Sequence, residues 1–459
     1  MNKKDEIIKQ LKLENNLLKK ENAELKALLK KALDRIDELE RKLNLTSEIS
    51  NRPPSSDGLK KKPAPQSLRE KSGKKSGGQP GHKGVSLKQS SNPHHIKRHK
   101  TNTCSGCKKS LSEVPINKII KRQIIDIPTP IVEVTEHQAE VKVCTCGKKN
   151  TADFPDKVNA PVQYGDNIAT IAGYLSLQQF VPEKRLQEVF QDIFQLKISK
   201  ATLANMVKKL AKAISPIQQQ TLQDLKGAPV KHLDETGLRI AGKLWWLHSI
   251  SHGGATCYRI SKKRGEMFDG LTGVAVHDGW KPYFKMENVV HALCNAHHLR
   301  ELKALAKLDQ EYWAIEMTIF LCSLNVDNPQ LTEVDYQDYR YIIKMGLDYH
   351  NSLPPLSSGR RKGHNLLRRL KKFENEVLLF ARNPDVPFTN NQAEQDIRMM
   401  KVKQKISGGF RSEEGAQAFC TIRAFLSTCR KNGINLFLAL SRIVDSFQKQ
   451  SSHTIRAPG

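Results

Sequence analysis

The chain has 459 residues, of which 38% are hydrophobic, and this length allows several domains with a sizeable core. Its 75 Lys and Arg residues exceed 47 Asp and Glu residues, so the formal net charge is +28, which favours a polyanionic partner such as nucleic acid. No run of about 18 apolar residues is available to span a membrane, and the charged N-terminus lacks the apolar core of a signal peptide, so we expect no membrane partner.

Residues 1–47 are predicted to form a coiled-coil helix. Their apolar residues recur every seven positions in two registers, with Lys and Glu filling most of the rest. Asn at two a positions favours a parallel pair of helices. We expect self-association here, as a homodimer, although a helix packed on its own chain fits the same pattern. The registers are Leu11, Leu18, Leu25, Ala32 and Leu39, and Ile8, Asn15, Asn22, Leu29, Ile36 and Leu43.

Residues 48–100 are predicted to be a basic disordered linker, because Ser, Pro, Gly and Lys are abundant and no core can be buried. Between 52 and 100 there are thirteen Lys and Arg residues, with Asp57 and Glu70 as the acids. A run of charge is usually only a solvated surface. Because this one carries over a third of the excess charge, we expect it to bind DNA phosphates. The candidate contacts are Lys60, Lys61, Lys62, Lys74 and Lys75.

Two cysteine pairs in residues 101–158 predict a zinc-ribbon-like module. The first pair encloses a Gly that permits a tight bend, and the second pair is one residue shorter. Alternating apolar residues at 121–127 and 131–135 predict strands between the pairs. Four thiolates would complete a closed zinc site, whereas irregular cysteine spacing without a secretion signal also fits free thiols in a cytosol. The predicted zinc ligands are Cys104, Cys107, Cys144 and Cys146.

Residues 159–226 are predicted to form a helical domain. Apolar residues with helical spacing follow Pro182, and a second helix begins after Ser199, whose hydroxyl is suited to cap it. Two helices joined in this way resemble a helix-turn-helix that reads DNA. Plain packing of two helices explains the pattern equally well, so both interpretations stay open.

Residues 227–304 are predicted to be the first part of an α/β core. The elements follow the order strand, strand, strand, helix, strand, helix, strand, with the first short helix at Arg264–Leu271. This order is typical of a ribonuclease-H-like fold, in which the first and fourth strands lie side by side. The strands are predicted at Val230–Ile240, Lys243–Ile250, Ala255–Ile260, Gly273–His277 and Val289–Cys294.

Two acids mark this core. Asp234 lies within the first strand, and Asp278 directly follows the fourth. A carboxylate among apolar strand residues is costly unless it is paired, hydrogen-bonded or bound to a metal. A strand end that enters a turn is the ordinary alternative for Asp234. Because the two strands are expected to be neighbours, we predict that both acids meet at one edge of the sheet.

The remaining chain is predicted to be helical. An all-α insertion is expected at 305–385, the last core helix at 386–418 and a C-terminal helical element at 419–459. Glu394 lies at the start of the core helix. Since Asn391 stands three residues before it, a capping box is the structural alternative for this glutamate.

A stripe of charge follows Glu394 on one helix face. Arg398, Lys401 and Lys405 continue from it at intervals of four, three and four residues. A capping residue does not require such a stripe. We therefore predict that Glu394 faces a bound metal and that the three cations contact DNA phosphates.

Three converging carboxylates could hold two divalent ions for cutting a phosphodiester. One ion would activate the nucleophile, and the other would stabilise the leaving oxygen. Oxygen ligands select Mg²⁺ or Mn²⁺. By the expected fold, Asp234 would bridge both ions, with Asp278 and Glu394 each holding one.

Several motifs occur in order along nearly the whole chain. They include the cysteine pairs, Asp234-Glu-Thr and Asp278-Gly-Trp, and continue with Pro53-Pro-Ser-Ser-Asp-Gly58, Gly77-Gly-Gln-Pro-Gly-His82, Cys294-Asn-Ala-His297, Asn390-Asn-Gln-Ala-Glu394, Lys405-Ile-Ser-Gly408 and Phe425-Leu-Ser-Thr-Cys-Arg-Lys-Asn-Gly-Ile434. With them the chain resembles the DDE transposases of the IS66 type, the large transposase protein of a bacterial insertion sequence.

The resemblance implies a metal-dependent enzyme that binds the ends of its element, cuts them and joins the 3′-ends to a target. It implies that Asp234, Asp278 and Glu394 are the DDE triad and that a zinc finger precedes the catalytic domain. It also implies accessory proteins of the same element, a larger assembly on DNA, and a bacterial cytoplasm near the nucleoid. Cys294 and His297 resemble a C-x-x-H element that supports the insertion, and we do not expect them to bind metal.

Two other functions fit parts of the sequence. A DNA-binding regulator with a zinc finger and a coiled coil would not cut, and it leaves the three acids unexplained. A structure-specific nuclease of the same fold would cut without joining.

Overall fold

The computed structural model describes residues 3–46, 88–127, 132–156, 158–327, 331–357 and 359–453. The chain divides into two compact units, Leu59–Glu133 and a larger one made of Met1–Gly58 and Val134–Gly459. No helix in the described ranges is long and apolar enough to span a membrane. The predicted DNA contacts of the basic linker lie outside the described residues: Lys60, Lys61, Lys62, Lys74 and Lys75.

In the first helix, α1 (Lys3–Asn44), the leucines of the predicted heptad pattern are exposed. Leu11 is 58% exposed, and Leu18 and Leu25 are similarly open. Near the end of the helix, the Arg41 guanidinium lies 2.8 Å from the carboxylate of Asp309. Exposed leucines at seven-residue spacing are available to a second helix, so self-association stays a prediction.

The strands predicted between the cysteine pairs are wrong where the structure describes them. Residues 121–127 and 132–135 are irregular, and Ile124 is 94% exposed. A strand needs a neighbour that supplies backbone hydrogen bonds, which alternating apolar residues alone do not provide. The regular structure here is a short hairpin of β1 (Val141–Val143) and β2 (Lys149–Thr151).

A helical segment lies between the short hairpin and the main sheet. The hydroxyl of Ser199 accepts the Thr202 N–H at 3.1 Å, so its predicted role as an N-cap is confirmed. The long helix that it caps packs Leu210 and Ile214 against the sheet, while DNA contact by this region stays a prediction. The helices are α2 (Asp166–Gly173), which continues into a π-helical turn at Tyr174–Gln178, α3 (Glu183–Phe194) and α4 (Lys200–Gly227).

The main sheet has five strands in the order β5-β4-β3-β6-β7. The first three pair antiparallel, whereas β3–β6 and β6–β7 are parallel. β3 and β6, which are the first and fourth strands of this sheet along the chain, are therefore neighbours, as the sequence predicts. The bounds are β3 (Val230–Ile240), β4 (Lys243–His252), β5 (Ala255–Ser261), β6 (Gly273–His277) and β7 (Val289–Leu293).

The helix predicted at Arg264–Leu271 is wrong, because this segment is a loop. Gly270 has φ +71°, which a right-handed helix does not allow, and Phe268 and Leu271 are buried beneath the sheet. The spacing of these two side chains suggested one face of a helix, but both are buried from a loop instead. A 3₁₀ helix at Lys281–Lys285 occupies the next crossover, between β6 and β7.

Helices cover both faces of the sheet, so the chain is a mixed α and β protein. On β6, Val274 and Val276 pack with the helices that follow β7, whereas Ala275 packs on the opposite face with Leu225 of α4. The later helices are α5 (Asn295–Leu308), α6 (Tyr312–Asp327), α7 (Glu333–Ser352), α8 (Lys362–Lys372), α9 (Glu374–Val377), α10 (Leu379–Arg382), α11 (Asn391–Ser407), α12 (Glu413–Lys431) and α13 (Leu436–His453).

Candidate catalytic site

Asp234 lies on the central strand β3, where its Oδ1 accepts the N–H of Glu235 at 2.8 Å. Burial raises the pKa of this carboxyl to about 8, and the negative charges of Glu235, Asp278 and Glu394 add to the rise. Asp234 therefore shares one electrostatic environment with the two other acids predicted for the site.

Asp278 is held in a tight turn directly after β6. Its Oδ1 accepts the N–H of Trp280 at 2.9 Å, and Gly279 takes φ +81°. The buried imidazole of His277 accepts the Gly279 N–H at Nδ1, and its Nε2 lies 3.0 Å from His291 Nδ1. These contacts orient the turn before any ligand binds.

The sheet register explains why the first two acids meet. In the parallel β3–β6 pair, Val230 lies opposite Val274 and His232 opposite Val276. Continued two residues further, this register sets Asp234 level with Asp278. Parallel neighbours at the same level direct their side chains to the same face.

Glu394 reaches the site from the first turn of α11. The helix has Asn390 as its N-cap and no side-chain capping bond, so the capping-box alternative at Asn391 is wrong. The Glu394 N–H instead joins the backbone oxygen of Asn390 at 3.3 Å. Its carboxylate is thus free of a capping role.

Asn390 is a positioning residue that our sequence reasoning missed. Its amide group donates to the Leu233 oxygen at 2.7 Å, and its Oδ1 lies 2.9 Å from His232 Nδ1. Its backbone N–H also donates to Cys294 Sγ at 3.1 Å. It therefore ties α11 to the strand residue before Asp234, and the repeated Asn of the motif was the available signal.

A second missed group surrounds Glu394. The Arg300 guanidinium lies 3.6 Å from one of its oxygens, and His297 Nε2 lies 4.0 Å from the other. Burial lowers the pKa of His297, and Arg300 lowers it further, while Glu394 and Asp278 oppose the shift. Neither His297 nor Cys294 was expected to hold a metal, yet both converge on Glu394.

Glu235, which follows Asp234, has a different environment. Its buried carboxylate accepts hydrogen bonds from Tyr283 and from Arg264 Nε, the latter at 2.9 Å. The Arg264 guanidinium in turn lies 3.9 Å from the ring centroid of Trp280. The Glu235 carboxylate is therefore occupied by these hydrogen bonds. Arg264 links it to Trp280, whose N–H donates to Asp278.

Comparison with known proteins identifies the chain. The model of a sequence family described as the Transposase IS66 family matches residues 162–418, more than half of the chain. The chain belongs to this family. Asp234, Asp278 and Glu394 all lie in the matched region.

Two further similarities cover smaller parts of the chain. A family of unknown function (DUF6444) matches residues 3–88. The uncharacterized protein y4jO of Sinorhizobium fredii (strain NBRC 101917 / NGR234) is 35% identical over 82 residues, which are 18% of this chain. The match spans only 26% of that relative's length.

Three of the cations that are predicted to contact DNA lie on α11. Arg398, Lys401 and Lys405 are exposed. Burial of its stem lowers the pKa of Lys401, and the negative charge of Asp234 opposes this shift, which places Lys401 near the acids. Contact of Arg398, Lys401 and Lys405 with DNA stays a prediction.

The four cysteines predicted to bind zinc form two local pairs. Hydrogen bonds from the Cys107 backbone lower the pKa of Cys104, and those from Cys146 do the same for Cys144. The first pair belongs to the Leu59–Glu133 unit and the second to the larger unit. A zinc site built from all four thiolates stays a prediction.

Proposed function

We propose that this transposase cuts DNA strands at the ends of its element and joins them to a target, using Asp234, Asp278 and Glu394. The supporting observation is the environment of Asp234: the β3–β6 register, continued, sets it level with Asp278, burial raises the pKa of its carboxyl, and the negative charges of Glu235, Asp278 and Glu394 raise it further. Like charges at one site repel and are costly without a cation. The strand order β5-β4-β3-β6-β7 supports a ribonuclease-H-like core by analogy.

The three acids suit a pair of Mg²⁺ or Mn²⁺ ions. Carboxylate oxygens are the hard donors that these ions prefer. Glu394 Oε1 is buried and has no hydrogen-bond partner among the residues that the structure describes, so it offers a coordination position. When bound, the ions supply an activated oxygen nucleophile and stabilise the leaving oxygen.

The residues of the chain would position the reacting DNA. The His277 and Trp280 contacts hold the Asp278 turn, and Asn390 holds the start of α11. The cations of α11, Lys401 foremost, would bind phosphates beside the acids and orient the scissile bond. This preorganisation leaves little to rearrange when DNA arrives.

Two phosphoryl transfers would follow. In cleavage, the oxygen of water bonds to phosphorus while the 3′-oxygen leaves and takes up a proton. In joining, that 3′-hydroxyl oxygen bonds to a target phosphorus, and the target's own 3′-oxygen leaves. Both reactions use the same in-line geometry at the acids.

The decisive test uses the full-length protein and a plasmid that carries its gene with the native flanks. With Mg²⁺ or Mn²⁺, wild type should nick at the flanks and join the ends, and Asp234→Asn should bind DNA without cutting. Asp269→Asn, at an acid whose side chain is 91% exposed in the loop before β6, is the matched control. Cleavage retained by Asp234→Asn would overturn the proposal.

The other arms of this test separate the alternatives. Cutting without joining favours a nuclease. Binding without cutting by wild type, even after the neighbouring gene products are added as accessory proteins, favours a DNA-binding regulator. The proposal therefore has a distinct outcome for each competing function.

The exposed heptad face of α1 supports self-association as a homodimer, with a larger assembly on DNA. Leu18→Lys combined with Leu25→Lys should halve the mass in light scattering, because two charges enter the apolar seam. An unchanged mass would exclude α1 as the interface. Binding to nucleoid DNA in a bacterial cytoplasm belongs to the same proposal.

A further inference from the structure

Beside the three acids lies a cluster with different donor chemistry. Sγ of Cys294, a ring nitrogen of His297 and a carboxylate oxygen of Glu394 all lie within 4.8 Å of one another. Within the described part of the chain, this is the one set of three such ligand residues that meets this closely. Sulfur, imidazole and carboxylate donors together do not suit Mg²⁺, which prefers oxygen.

The backbone builds this cluster rigidly. Cys294 is the N-cap of α5, directly after β7, and is 1% exposed. The Asn390 N–H donates to its sulfur at 3.1 Å, and the His297 N–H donates to its backbone oxygen at 3.2 Å. Burial raises the pKa of the Cys294 thiol, while the Asn390 N–H opposes the rise, and a bound cation would favour the thiolate, which is the form that binds metals.

Two polar atoms of the cluster have no partner. His297 Nδ1 and Glu394 Oε1 are both buried, and neither makes a hydrogen bond within the described structure. A buried polar atom without a partner costs about 1–3 kcal/mol, so two in one cluster need an explanation. Divalent ions at Asp234, Asp278 and Glu394 would give the Glu394 oxygen a partner. They would not involve the His297 imidazole or the Cys294 thiol.

We propose that Cys294, His297 and Glu394 bind a zinc ion. Thiolate, imidazole and carboxylate are all ligands that Zn²⁺ accepts, and three protein ligands leave a fourth position for water. The ion would join the first turn of α5 to the first turn of α11. It would thereby hold the Glu394 carboxylate at the start of α11, where Asn390 contacts β3.

The test measures the zinc content of the full-length protein, purified with zinc and then dialysed. Wild type should retain one more zinc per chain than Cys294→Ser and His297→Ala, whose zinc affinity at this site should fall by about 100-fold or more. Cys257→Ser, at a cysteine that is also buried but lies on β5, should match wild type. Any zinc held by the four predicted zinc-ribbon cysteines is common to all four proteins and cancels in the difference.

Cobalt substitution identifies the ligands. The difference spectrum of wild type minus Cys294→Ser should contain a thiolate-to-cobalt charge-transfer band, and the Cys257→Ser difference should not. Equal zinc in wild type and both variants, or loss in only one variant, would overturn the three-ligand site. If circular dichroism shows that Cys294→Ser does not fold, the half-buried His297→Ala decides the outcome. No DNA or magnesium enters these measurements, so their result is independent of the activity proposed above.

Discussion

The acid site and the cysteine pairs lie in surroundings of opposite kinds. Asp278 accepts a hydrogen bond from the Trp280 N–H, and Asp234 accepts one from the Glu235 N–H. Their side chains are thus held by the backbone beside them. Around the cysteines, large apolar residues such as Ile124 and Val143 are mostly exposed, at 94% and 70%. The acid site is therefore organised by the protein core, whereas the cysteine segments have too little buried surface to fix their own structure.

The largest effect that this comparison predicts is the loss of ordered structure around the cysteine pairs when their predicted zinc is removed. Structural zinc in small domains contributes about 10 kcal/mol or more of binding free energy, so Cys104→Ser should make residues 88–156 exchange amide hydrogens rapidly. The sheet around Asp234 should keep its protection. Hydrogen exchange with mass spectrometry measures both regions in one sample, and unchanged protection at 88–156 would show that these segments do not depend on metal.

Asp278→Asn tests the acid site directly. Loss of one carboxylate from a preorganised site should slow strand cleavage on the order of 10³-fold, while DNA binding stays within about twofold. Cleavage of labelled flank DNA and fluorescence anisotropy provide the two readouts. The Asp269→Asn protein serves as the reference, and equal rates in the two variants would remove Asp278 from the mechanism.

Stability without divalent ions should fall as pH rises. The folded pKa of Asp234 is raised to about 8, above the value of 3.8 in an unfolded chain, so the folded state holds a proton that the unfolded state releases between these two values. The free energy of unfolding should therefore decrease from about pH 4 to pH 8, on the order of a few kcal/mol, and Asp234→Asn should flatten this slope. Urea titrations of both proteins, with EDTA present, provide the comparison; identical slopes would contradict the raised pKa.

The smallest effect concerns Asn390. Its side chain is 2% exposed and contacts His232 and Leu233, so Asn390→Ala should destabilise the protein by about 1–3 kcal/mol. The adjacent Asn391 is exposed, which makes Asn391→Ala the matched control. Chemical denaturation measures the difference. Cleavage by Asn390→Ala should also need more Mg²⁺ because Glu394 is less well positioned, and an unchanged Mg²⁺ requirement would limit Asn390 to a structural role.

Local patterns were sufficient to predict the strands around Asp234 and Asp278. Short apolar runs rich in β-branched and aromatic residues define these strands, and the order of the elements, typical of a ribonuclease-H-like fold, then makes β3 and β6 neighbours. The Ser199 cap was predictable for the same reason, since its partner is three residues away. The loop at Arg264–Leu271 was not, because the positive φ of Gly270 and the burial of Phe268 and Leu271 against the sheet depend on tertiary contacts.

Contacts across long stretches of chain were decided only by the tertiary structure. Asn390 meets Leu233, 157 residues away, and Glu394 meets Cys294 and His297 because α11 returns to the sheet after the helices of the insertion. No periodicity in the sequence encodes such a meeting, since it depends on how α5 and α11 pack against β3 and β7. The sequence therefore determined which acids, cations and cysteines the protein carries, and packing determined that a thiol and an imidazole lie beside the third acid.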